Sequence, residues 1–348
     1  MKATPDQANF NSAESFNAWI DDRFQNENGG SLQILGQALR PSEVLHRFSF
    51  AGYLAAFPEF KQHWEETLIT KVVSDFPILI AHPFYRFLEG SENETQRFQF
   101  LRDTWEGLIN CVHALVVSEA RAAGMALVAP AKCGTILTDK LSDRLDTIEQ
   151  ILTQAAAAGL ALESANVVDL SMIATIKQLN QTRNAFSHTG AIAEDQAKNY
   201  ITECLDDVFD VLDAFSGLKE VRLMRYDSLN GMQLRHERFD GHANTKRFGT
   251  IALSAATAGV VMPLLSKDET LMIVRGKVIS VRPFITFIPH AAGGHVTQVA
   301  FLKKTKGAAP DRRIIYEIVG EANEIEHDRT LYQPVINDIR ALFGEPAE

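Results

Sequence analysis

Apolar side chains recur at intervals of three and four along much of the stretch from 94 to 215. Phe98, Leu101, Trp105, Leu108, Ile109, Val112, Leu115 and Val116 form one stripe, which predicts a long core helix ending near 122 to 124. Leu141, Leu145, Ile148, Ile151 and Leu152 form a second, on a helix that starts with Thr138 as its N-cap and runs into the alanine-rich AAAAGLA. A third helix is expected over about 168 to 187. A fourth is expected over about 194 to 215, its buried face marked by Tyr200, Ile201, Cys204, Leu205, Val208, Val211, Leu212 and Phe215. Helices in this succession predict a four-helix bundle. Residues 1 to about 60 show short amphipathic pieces broken by turn signals such as NENGG and ALRPSE, and predict peripheral helices only.

Beyond Phe215 the pattern changes to short alternating runs. VRLMRYDSL and MQLRHERF flank Asn230-Gly231, a pair suited to the positive torsions of a two-residue hairpin turn. Further strands are expected at LMIVR, KVISV, PFITFI, HVTQVAFL and RRIIYEIV, with Gly276-Lys277 and AAGG as turns between them. An amphipathic helix from about 331 to 343 closes the chain and is expected to pack on the sheet through Val335, Ile336, Ile339 and Leu342. The fold class is therefore α+β, an N-terminal all-α bundle followed by a mainly antiparallel β domain with a C-terminal helix. The expected divisions are a peripheral segment over 1–60, the bundle over 61–216 and the β-rich domain over 217–348.

Composition adds limits. A chain of 348 residues, 46% of them hydrophobic, is long enough for two cores. A formal net charge of −10 means that no overall positive field draws it to nucleic acid or anionic lipid, so such a contact needs a local patch. The opening MKATPDQANFNSAESF lacks the apolar core of a signal peptide, and no window is apolar for long enough to cross a bilayer; a cytoplasmic location without membrane contact is expected. Cys111, Cys133 and Cys204 are too widely spaced for a disulfide framework or a zinc site. No GxxxxGK[ST], strand-linked GxGxxG, HExxH or GxSxG occurs, so nucleotide hydrolysis, Rossmann oxidoreduction, zinc proteolysis and serine hydrolase chemistry lack support, and neither cofactor nor metal is expected.

One stretch carries chemistry. TRNAFSHTG places Arg183, Asn184, Ser187 and His188 at the end of the third helix, with Thr189-Gly190 as its stop. Arg183 and His188 are five positions apart, about 140° on a regular helix, and share no face unless the helix loosens near Ser187 or a second copy brings its own pair across a twofold axis. Asn184 and His188, four apart, do share one. These residue types suit metal-independent cleavage of RNA. A histidine takes the 2′-hydroxyl proton or protonates the leaving oxygen, while an arginine forks onto the scissile phosphate and offsets its developing charge. The alternative role of the pair is to cap the helix end and meet its last carbonyls.

RNAFSH resembles the Arg, Asn, three variable residues, His signature of HEPN domains. The resemblance covers roughly 76 to 215, and FPILIAHPFYRFLEGSENETQRFQFLRDTWEGL is similar to the approach to the first long helix in some bacterial members. It implies an all-helical bundle that dimerises and a metal-independent endoribonuclease of toxin or antiphage systems, with Arg183 and His188 catalytic and Asn184 supporting. The subgroup controlled by a nucleotidyltransferase partner usually carries tyrosine two residues past the histidine; here Gly190 stands there, so control by AMPylation at that position is not expected. Some members keep the fold as non-catalytic dimerisation and interaction modules.

Weaker candidates complete the set. RHERFDGHANTKRFG gathers Arg235, His236, Arg238, His242, Lys246 and Arg247, either as an RNA-gripping basic patch or as a solvated hairpin edge. Trp105 is expected in the core, and Glu106 either in the motif cleft or in solvent. His290 and His295 flank AAGG at a loop tip and lack further metal ligands nearby. The β domain is expected to sense, bind or restrain, with a regulatory partner or ligand that the sequence does not name.

Overall fold

The computed structural model describes residues 13–28, 31–128, 137, 140–187, 193–243, 247–255, 258–259, 262, 269–289, 297–306, 313–321 and 323–347, with side chains at 25–28 and 183–187 left aside. Thr138, Cys133, His188, Lys246, His290, His295 and the AAGG turn lie outside these residues. The elements are α1 (Ala13–Asn28), β1 (Leu32–Ile34), β2 (Gln37–Leu39), α2 (Pro41–Phe48), α3 (Phe50–Ala55), α4 (Phe57–Asp75), α5 (Ile78–Glu89), α6 (Glu94–Ala122), α7 (Leu141–Ala157), α8 (Ile173–Ser187), α9 (Glu194–Ala214), β3 (Val221–Asn230), β4 (Gln233–Arg238), β5 (Arg247–Ala252), β6 (Thr270–Val274), β7 (Lys277–Ser280), β8 (Ile285–Pro289), β9 (Thr297–Lys306), β10 (Arg313–Ile318), β11 (Glu324–Asp328) and α10 (Gln333–Leu342). The fold is thus mixed, helical toward the N-terminus and with antiparallel sheets toward the C-terminus. Among the described residues no helix is long and apolar enough to cross a membrane.

Contacts divide the chain into two compact units, residues 1–70 with 203–213, and residues 71–202 with 214–348. In the first, Phe16 is buried within 4.9–5.3 Å of the rings of Tyr53, Phe57 and Phe60. The Tyr53 hydroxyl donates to Asn17, and the Ser42 amide donates to Asp21 across 2.7 Å. Residues expected to be merely peripheral therefore build a core of their own, and they include the β1–β2 hairpin, whose Leu35 and Gly36 take positive φ.

The same unit holds a run of acids on α9. Desolvation, then Asp207, Asp206 and Asp213, push the half-buried Asp210 carboxyl up from 3.8 to about 7, and Lys61 offsets this only in part. Because the folded chain holds that proton more tightly than the unfolded one, stability is greatest below about pH 4 and is lost as pH rises toward 7. Asp210→Asn is expected to stabilise the chain by about 1–2 kcal/mol at pH 8, solvent screening included, and to leave it unchanged at pH 4. Chemical denaturation at the two pH values measures this; equal effects at both would contradict it.

In the second unit, α6 opens at Asn93, whose side chain accepts from the Gln96 amide at 2.8 Å. Its first half buries Phe98, Leu101, Thr104 and Trp105, and every residue from Gly107 to Ala120 is buried. Helix α7 starts at Leu141 with Lys140 as N-cap, later than expected, and α8 starts at Ile173 because Asp169 caps a short 3₁₀ turn, Leu170–Met172, ahead of it. The strand order is β5-β4-β3-β6-β7 in one sheet and β11-β10-β9-β8 in the other, every pairing antiparallel. Both hairpin turns sit one residue from their expected places. Asn230 pairs with Gln233, leaving Gly231-Met232 as the loop with only Gly231 at positive φ, and Val274 pairs with Lys277, leaving Arg275-Gly276, both at positive φ.

Helices and sheets are locked together by buried polar groups. Arg144 of α7 donates to Asn110 of α6 and to the carbonyls of Leu302 and Lys303 on β9. The fully buried Glu119 accepts from Lys277 on β7 and from the amides of Glu163 and Ser164, each at 2.8 Å. Burial alone would raise the Glu119 carboxyl, and these donors instead hold it below its ordinary value. The expected division at 216/217 therefore runs through one compact unit. Ile336, Ile339 and Leu342 of α10 are buried and Val335 only partly so; the helix lies near α6, and the Leu342 carbonyl accepts from the Leu127 amide.

Candidate functional site

The motif lies at the end of α8. Ile173, Ile176 and Leu179 bury one face of this helix, and Lys177 pairs with Asp146 and Glu149 of α7 at 2.7 and 3.4 Å. Asn184 falls in its last turn and Arg183 just ahead of it, and the backbone stays helical through Ser187. His188 lies outside the described residues. Helix α9 follows at Glu194, its first turn acidic with Glu194 and Asp195, as suits the positive end of the helix dipole.

The basic stretch falls on β4, β5 and the loop between them, with β5 at the sheet edge. Period-two alternation separates neighbours here. Arg235 is exposed, bonded to Asp227 at 3.2 Å and stacked 5.1 Å over Phe248, which is 52% exposed. His236 points the other way and is buried; desolvation lowers its pKa, and a β-carbon at Gly249 would lie 2.7 Å from its Nε2. His236 is thus a packing residue beneath β5 and does not share the surface that carries Arg235. Arg238 forks onto buried Asp240 at 3.0 and 2.6 Å, and Arg222 and Arg247 approach the same carboxylate at 3.7 and 3.9 Å. Three guanidiniums around one carboxylate leave a local excess of positive charge on an acidic protein. The position of Gly241 explains the loop: φ is +78°, and a β-carbon there would meet the Ser74 carbonyl at 2.9 Å. His242 is taken up by structure, its amide on the Val73 carbonyl and its ring 4.1 Å from Tyr85.

A third locus is a cavity of about 410 Å³ in the second unit, lined by α5, α6, β9, β10 and the turn after β10. Arg102 bonds Asp103 through two nitrogens, at 3.1 and 2.7 Å, and approaches Glu106 at 3.5 Å. Asp103 remains 39% accessible, yet desolvation pushes its carboxyl up to about 6, with Glu106 and Glu317 adding to the rise and Arg102 opposing it. Both facts describe a side chain on the wall of a concavity, reached by water but surrounded by protein. Burial works against the Arg102 charge, but Asp103 and Glu106 more than offset it. Arg86 lies 4.6 Å over the Phe100 ring, and its buried Nε has no hydrogen-bond partner. His82 closes one side, with Nδ1 3.0 Å from the His242 carbonyl; Gly320, at φ +81°, packs against its Nε2 where no side chain fits. Glu106 thus lines this cavity, while Trp105 is buried in the core as expected.

Comparison with known proteins finds no similarity: no family model, no curated protein and no solved structure matches the chain.

Proposed function

We propose that the chain is a metal-independent endoribonuclease of the HEPN type, acting in the cytoplasm as a toxin or antiphage effector. The observation that supports this reading is that the backbone of α8 is helical from Ile173 to Ser187, the stretch that carries Arg183 and Asn184, and that α9 follows from Glu194; His188 comes next after Ser187 in the sequence. Long α6, α7 against it and α8 against α7 supply the helical order that the resemblance implies. His188 moves the proton of the 2′-hydroxyl or of the leaving oxygen, Arg183 steadies the phosphate, and Asn184 supports them. A regular helix would set Arg183 and His188 about 140° apart, so either the chain loosens near Ser187 or a second copy across a twofold axis completes the site, and we propose the second. The Arg222, Arg238 and Arg247 group and the exposed Phe248 beside Arg235 give the RNA a charged track and a stacking surface, which single strands use without sequence preference. Lys246 extends this patch in sequence.

A second reading rests on exposed apolar side chains in the first unit, Phe48, Phe50 and Leu54, which favour a non-catalytic module that recruits a partner in a defence or signalling complex. Purified protein incubated with total tRNA and with single-stranded RNA in EDTA separates the two. Cleavage is the expected result; intact RNA under all conditions would leave the interaction module.

A further inference from the structure

Three arginines on neighbouring strands meet at one buried oxygen. The register of β3, β4 and β5 sets Arg222, Arg238 and Arg247 on one face of the sheet, with Arg238 and Arg247 directly opposite each other. Like charges in that position are destabilising. Asp240 is 3% exposed, and the Arg238 fork takes both of its oxygens, at 3.0 and 2.6 Å. Arg222 and Arg247 stand 3.7 and 3.9 Å from Oδ2, too far for hydrogen bonds. The fold therefore needs only one of the three cations to satisfy Asp240. Arg222 also donates to the Asp75 carbonyl at 3.3 Å, and among the described residues no other carboxylate pairs with any of the three. Three positive charges against one negative leave an excess of two, on side chains 31–44% exposed.

We propose that Arg222, Arg238 and Arg247 bind a phosphate monoester, the terminal phosphate of an RNA strand or of a nucleotide. A monoester carries a charge of about −1.5 to −2 at pH 7, which matches the excess of two better than the single charge of a backbone phosphodiester does. Guanidinium groups fork onto phosphate oxygens, and all three lie within 3.9 Å of one atom, close enough for a single small anion to reach them together. The bound anion also relieves the opposition of Arg238 and Arg247 across the strands. With RNA as the source of the phosphate the inference rests on the ribonuclease reading; the preference for a monoester does not.

Fluorescence anisotropy of the full chain in EDTA tests it with 2′-O-methyl RNA strands of one sequence. The proposed chemistry cannot cut these strands, so a failure here and a failure of the ribonuclease reading are told apart. The strands end in a 5′-phosphate, a 3′-phosphate, a 5′-phosphate capped as its methyl ester, or hydroxyl groups alone. At least one monoester strand is expected to bind roughly tenfold or more tighter than the hydroxyl strand, and the methyl ester to lose most of that gain. Inorganic phosphate is expected to compete, and chloride at equal ionic strength is not. Displacement by adenosine monophosphate as effective as by the phosphorylated strand assigns the site to a nucleotide; displacement by the strand alone assigns it to a strand end. Arg222→Gln with Arg247→Gln, which leaves the Arg238 fork on Asp240 in place, is expected to remove the preference without lowering the unfolding midpoint. Arg247→Gln alone, at the most exposed of the three, is expected to weaken the monoester strand roughly fivefold. Equal affinity for all ends, or no saturable binding by either monoester strand, overturns the proposal. So does a preference that survives the double substitution or that the methyl ester keeps in full.

Discussion

His188→Ala and Arg183→Ala are each expected to lower the rate of RNA cleavage by ~10²-fold or more, because each removes a group that moves a proton or meets developing charge at the reacting phosphate. Neither change is expected to move thermal unfolding by more than about 1 °C. The stability of α8 comes from Ile173, Ile176 and Leu179 in the core and from the Lys177 pairs with α7, all upstream of the motif. Mixing the two inactive variants extends the test. If the partner copy completes each site, a mixed dimer carries one intact Arg183 and one intact His188 in the same cleft, and part of the activity returns. Variants that cleave like the parent would remove the catalytic assignment, and variants that unfold would make the pair structural.

The largest expected loss of stability comes from a single methyl group. Pro83 sits inside α5 and offers no N–H, so the Leu79 carbonyl lacks its usual helical donor; that carbonyl turns to α6 and meets Gly107. A β-carbon at Gly107 would overlap the Leu79 oxygen and lie 2.9 Å from its carbonyl carbon, and backbone cannot swing aside as a side chain would. Gly107→Ala is therefore expected to force α5 off α6 at a cost of roughly 2–4 kcal/mol, lowering the unfolding midpoint by about 5–12 °C. Gly124→Ala serves as the control. Gly124 has φ +65° but open space around it, and the cost there is limited to about 1 kcal/mol of left-handed backbone. Calorimetry of both variants checks the ranking; a Gly107→Ala protein as stable as the control would show that the two helices are not held in this contact.

The parts of the fold that the sequence reveals are those where one face is wet and the other dry. The stripe over Phe98, Leu101 and Trp105 marks the first half of α6, where half-buried and exposed positions separate the buried ones, whereas from Gly107 to Ala120 the helix is buried all round and only its length signals it; VRLMRYDSL and MQLRHERF mark β3 and β4 through alternation and Gly231. Helix α5 is illegible for the opposite reason. FPILIAHPFYRF is apolar nearly throughout and contains Pro83, and residues Ile78 to Ala81, Phe84 and Phe87 are all buried, so no period of 3.6 survives. Strands β5 and β11 fail as signals because they are edge strands: RFGTIA carries a glycine and little burial, and EIEHD is mostly polar. The Arg275-Gly276 turn was displaced by one in the expectation because a non-glycine residue takes the first left-handed position.

The site divides along similar lines. The RNAFSH motif is read from one segment, and its helical setting follows from the same segment. Asp240, by contrast, collects Arg222 from β3 and Arg247 from β5, a convergence set by sheet order that no local pattern announces. Glu106 stood out along the chain without a destination. Its spacing from Arg102 on one helix face was the available signal, but Arg86 and Glu317 reach the same cavity from α5 and β10 through packing alone.

The claim that the 2′-hydroxyl is the attacking group is tested most directly on one bond. After the cut site in a single-stranded RNA is mapped in EDTA, the same oligonucleotide is made with one 2′-deoxyribose immediately 5′ of the scissile phosphate. The account predicts a 2′,3′-cyclic phosphate end from the all-ribose strand and no cut at that bond in the substituted one. A cut that persists across the deoxy position, or cleavage that EDTA abolishes and Mg²⁺ restores, would contradict it.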